Sequence, residues 1–492
     1  MVDSAIMSRP ADRPSPAGTT PGTADSRRFW IGLSAITALA LAWRVYYVID
    51  QRGRLLLNGD AAYYHWEANL VAKGYGFIDP GQFMLFGRIT PSAGHPPAYM
   101  LYLTGVSRFI GTSELTHRLA STLLGAAAVF MIGVIARRIF SSDWAGWLAA
   151  LLAAGYAHLW INDEMLMSES MYALTTGIAV WVSYRFWDTP RTRNAALMGL
   201  GIGLAAMSRG EGITLFPLLA IPFAFLVTRR GGRRINWKRG IRYSLAACIA
   251  GGLLMAPWIA YNLTRFEHPV LVSNAAGSVL MVANCDSTVP AGDVDAGAYR
   301  GTFHGRYIGY WSIFCAGDLE AKIDRFYASK RAAYLKAQLG IIPGTDKAFF
   351  GDESTHEVAW RAVGTAEIKD HLRDTPRLAV LRVARMWDFF RPGQNIEFNG
   401  VFEGRGRWQS RLATYEYFPL LALSIVGLVI LRRRRVPILP FLAIAATITI
   451  TAATTFGITR YRAPVDAMLP VLAAGALVWI FERARERGLT PW

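Results

Sequence analysis

The chain lacks the short motifs by which several large enzyme classes are recognised. It has no glycine-rich nucleotide-binding loop, no cysteine and histidine spacing typical of a zinc site, and no Gly-x-Ser-x-Gly elbow of a serine hydrolase. A substrate that is a cytosolic nucleotide is therefore disfavoured.

Acidic side chains are scarce relative to basic ones. The sequence has 35 Asp and Glu against 52 Lys and Arg, a formal net charge of +17. Nucleic-acid binding is a common reason for such an excess. Here the basic residues form short clusters between apolar stretches, as cytoplasmic loops of membrane proteins do, at Arg137-Arg138, Arg191 and Arg193, Arg229–Arg239 and Arg432–Arg435. We therefore expect no nucleic-acid partner.

Hydrophobic residues make up 53% of the chain and are grouped into repeated apolar stretches. Many of these are about 15–22 residues long, the length that a helix needs to cross a bilayer. Lipid offers no hydrogen-bond partner to the backbone, so the stretches must be helices, which pair their own backbone groups. We predict an all-α polytopic membrane protein with a bundle of about 10 spans, in a range of about 10–13. The predicted spans cover 29–49, 118–137, 142–160, 168–186, 195–208, 212–227, 241–262, 415–431, 436–455 and 465–482.

The arginine clusters set the predicted orientation in the plasma membrane. Both termini are expected in the cytoplasm, with 1–28 as a disordered tail and 483–492 as a second tail. The spans then form two groups, 29–262 and 415–482. Segment 97–111 is apolar, but an additional crossing there would turn every later arginine cluster outward, so we predict a juxtamembrane or re-entrant segment.

Two long loops are predicted on the extracytoplasmic side, 50–117 and 263–414. The second is expected to fold into a small unit that selects the acceptor, because tryptophans suit carbohydrate stacking and it carries Trp311, Trp360 and Trp387.

Two of the three cysteines, Cys285 and Cys315, fall in the second outer loop, where oxidation is allowed. A disulfide between them is an open alternative to two free thiols, since sequence gives no geometry. The third, Cys248, lies in a predicted span and is expected to be a small core residue.

Polar residues concentrate at the predicted outer ends of the helices, where ionisable groups beside lipid tend to be functional. In the cluster 58–65, Asp60 either caps the following helix or binds and deprotonates an acceptor hydroxyl. In the cluster 94–99, His95 precedes two prolines. It is either an interfacial histidine without a role or a hydrogen-bond donor to a phosphate.

Three further clusters lie on the same predicted face. Asp163, Glu164 and Glu169 place three acids within seven residues, either as helix caps or as a site for a cation, a sugar or an acceptor. Arg209 and Glu211 flank a tight turn and either pair with each other or serve a ligand. Before the last span, the arginines of 459–464 either bind a phosphate or extend to the membrane interface.

The order and spacing of these clusters resemble the GT-C class of membrane glycosyltransferases. The closest resemblance is to the protein O-mannosyltransferase, lipid A aminoarabinose transferase and RgtA/B/C/D-like branch, over about 50–220 and 455–482. The matching motifs are Gly59-Asp60 with Tyr63-Tyr64, His95-Pro96-Pro97, Arg118-Leu119, Ser168-Glu169, Arg209 with Glu211-Gly212, and Arg460-Tyr461-Arg462 with Pro464. Loop 263–414 is outside the resemblance.

The resemblance implies an inverting transfer of a sugar from a polyprenyl-phosphate donor to an acceptor outside the membrane. Asp60 matches the acid that serves as base or positions the acceptor, whereas Ala61 stands where many relatives carry a second acid. Glu169 matches the acid of the second outer loop, and Asp163 and Glu164 are the alternative catalytic acids. His95 matches a position where the aminoarabinose transferases carry a lysine near the carrier phosphate.

The remaining predicted roles follow from the same resemblance. The residues expected to bind the donor phosphate are His95, Arg209, Arg460 and Arg462. The residues expected to bind substrate are Tyr63, Tyr64, Glu211 and Tyr461. A divalent cation held by the outer-loop acids is an open expectation, because no spacing demands one.

The sequence leaves the sugar and the acceptor unidentified. A cell-envelope glycan or glycolipid acceptor is preferred over a protein, because no acceptor-recognition domain is evident. A transporter or flippase of an envelope glycolipid is the main alternative, although the polar residues cluster at one face and no duplicated half is visible. The third alternative is an envelope scaffold whose outer loop binds a partner.

Overall fold

The computed structural model describes residues 23–53, 57, 59–230, 234–284, 288, 309–310, 352–401 and 403–487. In these residues the regular elements are helices, as predicted. Cys285 and Cys315 of the proposed disulfide, and Trp311, lie outside the described residues.

The first half of the chain forms a series of helices joined by short connections. A 3-10 turn at Gly210–Thr214 and a π-helical turn at Phe216–Ala220 precede the tenth helix. The helices are α1 (Thr23–Gln51), α2 (Gly59–Ala72), α3 (Pro80–Phe86), α4 (Pro97–Phe109), α5 (Glu114–Phe140), α6 (Asp143–Gly155), α7 (Ala157–Glu164), α8 (Glu169–Asp188), α9 (Thr192–Ser208), α10 (Ile221–Thr228) and α11 (Trp237–Leu263).

In the described residues of the second half, helices of 8–18 residues precede three helices of 16–27 residues. A 3-10 turn at Thr459–Arg462 leads into the last helix. The helices are α12 (Ala276–Ala283), α13 (Glu353–Asp370), α14 (Thr375–Met386), α15 (Pro392–Val401), α16 (Arg407–Arg433), α17 (Leu439–Thr454) and α18 (Ala463–Glu486).

The chain is a multi-pass membrane protein. Within the described residues, six helical segments are long and apolar enough to cross a membrane, and the bent pair α6–α7 would make a seventh. The six are Arg27–Gln51, Glu114–Phe140, Gly210–Thr228, Trp237–Leu263, Arg407–Arg433 and Thr459–Glu486. The predicted spans 168–186, 195–208 and 436–455 coincide with α8, α9 and α17, which lie outside this set, so the count of about 10 remains a prediction.

Segment 97–111 forms α4, a helix of 13 residues. At ~1.5 Å per residue it is about 20 Å long, shorter than the ~30 Å hydrocarbon core, so α4 does not cross a bilayer alone. It packs against α2 through the edge-to-face pair of Tyr99 and Tyr64.

The bend between α6 and α7 lies at Tyr156, whose backbone leaves the helical conformation. The two helices meet at 54°. The amide freed by the break, at Ala157, donates to Glu416 Oε2 at 2.8 Å, and the Tyr156 hydroxyl donates to Asp466 at 2.9 Å. The bend is therefore satisfied by polar groups of α16 and α18, as a break at membrane depth must be.

Small residues allow close helix packing in the bundle. A Cβ added to Gly199 of α9 would lie 1.9 Å from the Ala247 carbonyl oxygen of α11. One at Gly427 of α16 would lie 2.2 Å from the Leu472 carbonyl oxygen of α18. Such small-residue contacts are typical of membrane helices, where close backbone approach replaces the hydrophobic driving force.

The basic clusters gather at one end of the bundle. Arg137 pairs with Asp143 at 2.7 Å, Arg138 with Asp188 at 2.7 Å, and Arg230 donates to the Trp187 carbonyl at 2.6 Å. Arg137 and Arg138 both lie in the last turn of α5. The first turn of α5 is at the opposite end, where the acids and arginines of the predicted site are found.

Candidate active site

Asp60 lies in the first turn of α2, directly after Gly59, whose positive φ of 51° starts the helix. Its Oδ2 accepts a hydrogen bond from Arg460 Nη2 at 2.5 Å, and its Oδ1 lies 3.6 Å from His95 Nε2. Both carboxylate oxygens thus face side chains from other parts of the chain. The geometry favours the site role of Asp60 over the capping role.

Arg460 joins three acids from distant segments. Besides Asp60, its Nη1 donates to Glu403 Oε2 at 3.0 Å, and its Nε lies 3.4 Å from Glu169 Oε1. Glu403, in the connection between α15 and α16, was not predicted. No local pattern marks it, because its partner lies 57 residues away.

Arg209 extends the network at the C-terminal end of α9. Its Nη1 donates to Glu169 at 2.7 Å and its Nε donates to Glu211 at 2.5 Å. The Arg209 guanidinium also lies over the Tyr461 ring, 5.2 Å from its centroid. The predicted Arg209–Glu211 pair therefore forms, and Glu169 links it to Arg460.

His95 rests on two tyrosines of α2. Its ring centroid is 4.6 Å from that of Tyr64 and 5.0 Å from that of Tyr63. The Tyr63 hydroxyl in turn accepts a hydrogen bond from the Gly94 amide at 3.2 Å. These contacts fix the ring near Asp60.

The pKa of Asp60 is set by opposing effects. Burial acts to raise it, but the charge of Arg460 and the hydrogen bond and charge of His95 outweigh burial and hold the pKa well below its usual range. Asp60 is therefore ionised at physiological pH. While paired with Arg460 it is a weak proton acceptor, because an efficient general base has a pKa near the working pH.

These residues line a polar cavity of about 1070 Å³. Nine of the predicted site residues line it: Asp60, Tyr63, Tyr64, His95, Glu169, Arg209, Glu211, Arg460 and Tyr461. Trp360 of the second outer loop lines it too, whereas Trp387 donates to Thr449 on α17 and is absent from the lining.

The structure corrects the place of Arg462. Its side chain is fully buried, its guanidinium donates to Asp388 and Asp466 at 3.0 Å each, and it lies 3.5 Å from the Tyr417 ring centroid. Because both arginine branches are engaged away from the cavity lining, Arg462 stabilises helix packing and is not placed to bind a donor phosphate.

Asp163 and Glu164, the alternative catalytic acids, are also absent from the cavity lining. Asp163 accepts from Arg44 of α1 at 2.7 Å and from Ser170 at 2.5 Å. Both acids are buried, and Arg118 donates to the Glu164 carbonyl. Their position points to helix packing, and of the four predicted catalytic acids only Asp60 and Glu169 line the cavity.

No group of three or more His, Cys, Asp or Glu able to hold a metal ion occurs among the residues that the structure describes. The acids nearest Asp60 face Arg209 and Arg460 instead. Carboxylates that are already paired with arginines do not fit the divalent cation left open by the sequence.

A second cavity, of about 740 Å³, is almost wholly apolar. Its walls come from α4, α8, α9 and α11, with residues such as Leu101, Leu174, Leu204 and Trp258. Pro97 lines this cavity, while the preceding Pro96 lines the polar one. The two cavities therefore border the same segment, the one that carries His95.

Residues 94–261 match the family described as dolichyl-phosphate-mannose-protein mannosyltransferase. The fold is similar to that of an oligosaccharyltransferase from Archaeoglobus fulgidus, solved with a tethered acceptor peptide, at a TM-score of 0.51 and 14% identity. That match covers 94% of this chain. The chain therefore has the GT-C fold of membrane glycosyltransferases.

The chain spans 51% of the length of that oligosaccharyltransferase. ArnT from Cupriavidus metallidurans, solved with undecaprenyl phosphate, matches at 17% identity over 94% of this chain and 81% of its own, with a TM-score of 0.36. No curated protein matches the chain.

Proposed function

We propose that this GT-C protein transfers a sugar from a polyprenyl-phosphate donor to a cell-envelope glycan or glycolipid, with inversion, on the extracytoplasmic face of the plasma membrane. The observation that carries the proposal is that the two cavities border one segment, at Pro96 and Pro97, with Asp60, His95 and Arg460 in the lining of the polar one. A lipid-linked sugar needs an apolar cavity for its polyprenyl chain and, beside it, a polar cavity for its phosphate and sugar.

The arginines and His95 are proposed to bind the carrier phosphate. The acceptor oxygen attacks the anomeric carbon, and the bond from that carbon to the phosphate oxygen breaks. The phosphate leaves with the electron pair, and cationic donors near it stabilise the developing charge. The match to a family of dolichyl-phosphate-mannose enzymes supports this donor class.

Asp60 is proposed to accept the acceptor proton once the donor has bound. A phosphate attracts Arg460, which weakens the Asp60–Arg460 pair and raises the pKa of Asp60 from its depressed value. The carboxylate then becomes a better base at the moment the acceptor needs one. Donor binding would thereby precede activation of the acceptor.

The second outer loop is proposed to select the acceptor. Trp360 presents an aromatic ring to the polar cavity, with His356 one turn before it, 5.8 Å between ring centroids. A protein acceptor is the second candidate, favoured by the protein substrate in the description of the matched family.

The proposal is tested by purified protein in lipid, a panel of polyprenyl-phosphate sugars, and both an envelope extract and acceptor peptides. Asp60→Asn should lower transfer by about 10²–10⁴-fold, the usual contribution of general acid–base catalysis. Asp79→Asn is the matched control, because Asp79 lines the same cavity but caps α3.

Transfer to the extract alone supports the envelope acceptor, and transfer to peptides supports the second candidate. Full activity of a folded Asp60→Asn protein would remove Asp60 as base. Binding of the carrier lipid without transfer from any donor would favour the transporter alternative.

A further inference from the structure

The loop at 92–95 is the segment that brings His95 to Asp60. Its backbone polar groups are bound on several sides. The Ala93 amide donates to Glu353 Oε2 at 2.8 Å, and the Ala93 carbonyl accepts from the Asn274 amide at 2.7 Å. Arg265 donates to the Ser92 carbonyl. The backbone of this short connection is thus fixed by hydrogen bonds, although it has no regular secondary structure.

The two bonds to Ala93 come from the second outer loop. Glu353 is the first residue of α13, and Asn274 lies just before α12. These helices are joined to each other, since Glu357 of α13 accepts the Gly277 and Ser278 amides at the start of α12. The joined helices α12 and α13 form one unit of the second outer loop, called the outer unit. This unit therefore holds both sides of the loop that carries His95.

We propose that Glu353 is a positioning residue, which couples the outer unit to the catalytic centre by fixing the loop of His95 against Asp60. The inference rests on the proposed function and extends it. An acceptor that binds against α13 would adjust the same unit, so acceptor binding and the position of His95 would be linked.

Burial and the charges around Glu353 make the stability of the folded protein sensitive to pH. Burial raises the pKa of Glu353 to about 7, with Asp79 adding to the rise and the Ala93 and Ser92 hydrogen bonds and Arg265 opposing it. Glu67 of α2 is buried nearby, and its own pKa is raised by burial and by the charge of Glu353. Tyr63 lies between the two acids.

The sign follows from the direction of the shift. Glu353 is protonated in the folded protein below about pH 7, whereas in the unfolded chain it ionises near its usual value. The folded state therefore binds more protons, and this contribution to stability is lost as the pH rises through about 7. Above that pH, the buried charge of ionised Glu353 faces Glu67 and Asp79 and lowers the stability of the folded state, while the Ala93 amide still donates to the carboxylate.

The test compares Glu353→Gln, Glu353→Ala and Glu357→Ala in the full-length protein. The amide of Glu353→Gln stays neutral and can accept the Ala93 hydrogen bond, so its transfer rate near pH 6 should match that of wild type. Its midpoint of thermal unfolding should fall less than that of wild type as the pH rises from 5 to 8, because the amide of Gln carries no charge. Glu353→Ala should lose about 10²-fold in kcat, with the donor KM unchanged, as a displacement of about 1 Å would cause.

A second readout does not depend on transfer. Carbethoxylation of His95 by diethyl pyrocarbonate, followed by mass spectrometry, should be faster in Glu353→Ala than in wild type and unchanged in Glu353→Gln. Glu357→Ala removes the acceptor of two backbone amides within the outer unit but leaves the Ala93 bond, so His95 labelling should stay near that of wild type.

Equal labelling of His95 in wild type and Glu353→Ala would overturn the proposal. So would equal effects of Glu353→Ala and Glu357→Ala, since the cause would then be general loosening of the outer unit. Absence of transfer from every donor would refute the proposed function alone, and the labelling would still decide the role of Glu353.

Discussion

Arg460 and Arg462 are separated by one residue and occupy opposite environments. Arg460 lines the polar cavity and contacts Asp60, whereas Arg462 is enclosed by Asp388 and Asp466 in the helix bundle. A buried charge must be compensated, and removing one partner of a buried pair costs far more than the pair contributes. Similar residues in one short motif thus serve different purposes.

We expect Arg462→Met to destabilise the protein and Arg460→Met to inactivate it. Loss of the Arg462 guanidinium leaves two buried acids uncompensated, at a cost of about 3–5 kcal/mol in the free energy of unfolding. Arg460→Met should unfold near the wild-type temperature but lose transfer. Thermal unfolding in detergent and the transfer assay together check both changes.

The contrary pattern would be informative. A stable Arg462→Met protein that no longer binds the polyprenyl-phosphate donor would restore the phosphate role predicted for Arg462.

At the scale of elements, α2, α4 and α5 are joined by a closed ring of hydrogen bonds. Ser107 Oγ donates to Asn69 Oδ1 at 2.8 Å, and His117 Nε2 lies 2.8 Å from Ser107 Oγ. His65 Nδ1 lies 3.1 Å from His117 Nδ1, and Asn69 Nδ2 lies 3.3 Å from His65 Nε2. One direction satisfies the ring: Asn69 donates to His65, His65 to His117, and His117 to Ser107.

This ring requires both histidines to be neutral, because a second proton would place two N–H groups against each other. Burial lowers the pKa of His65, while Glu114 acts to raise it and Arg118 to lower it. The unfolded chain therefore binds more protons below about pH 6.5, and stability falls as the pH drops through that value. We expect the midpoint of thermal unfolding to decrease from pH 7.5 to pH 5.

His117→Gln should lower the midpoint at neutral pH and flatten its dependence on pH, because the ring is then already broken. His268→Gln is the control, since only the His268 backbone amide takes part in a hydrogen bond, to Ser354. An unchanged pH dependence in His117→Gln would show that other groups cause the acid sensitivity.

At the scale of the molecule, the site and the basic clusters lie at opposite ends of the bundle. The site combines Asp60 near the N-terminus, Glu403 of the outer segment and Arg460 before the last helix. The other end carries Arg137, Arg138 and their partners. By the positive-inside rule, we predict that the basic end faces the cytoplasm and that the site faces outward.

Cysteine labelling tests this orientation. In a cysteine-free background, Leu372→Cys, at an exposed position just after α13, should react with a membrane-impermeant thiol reagent in right-side-out vesicles. Arg433→Cys, at the basic end, should react only after permeabilisation. The reverse labelling would place the site in the cytoplasm and rule out the proposed face of transfer.

The sequence by itself determined that the chain is a helical membrane protein, because lipid permits few alternatives for apolar stretches of that length. Its ordered motifs also singled out Asp60, His95, Glu169, Arg209 and Arg460, which are 35 to 400 residues apart and line one cavity. Hydropathy and motif position can be read from neighbouring residues, and together they indicate at which end of a helix a residue lies.

Only the tertiary structure decided which side chains meet. Arg460 and Asp60 are 400 residues apart, and the turn at 459–462 sends two nearby arginines to different sides. Glu403 and Glu353 have no neighbouring motif, since each acts on a partner brought to it by helix packing. The charges of the site balance one another across elements, and that balance exists only once the helices are packed.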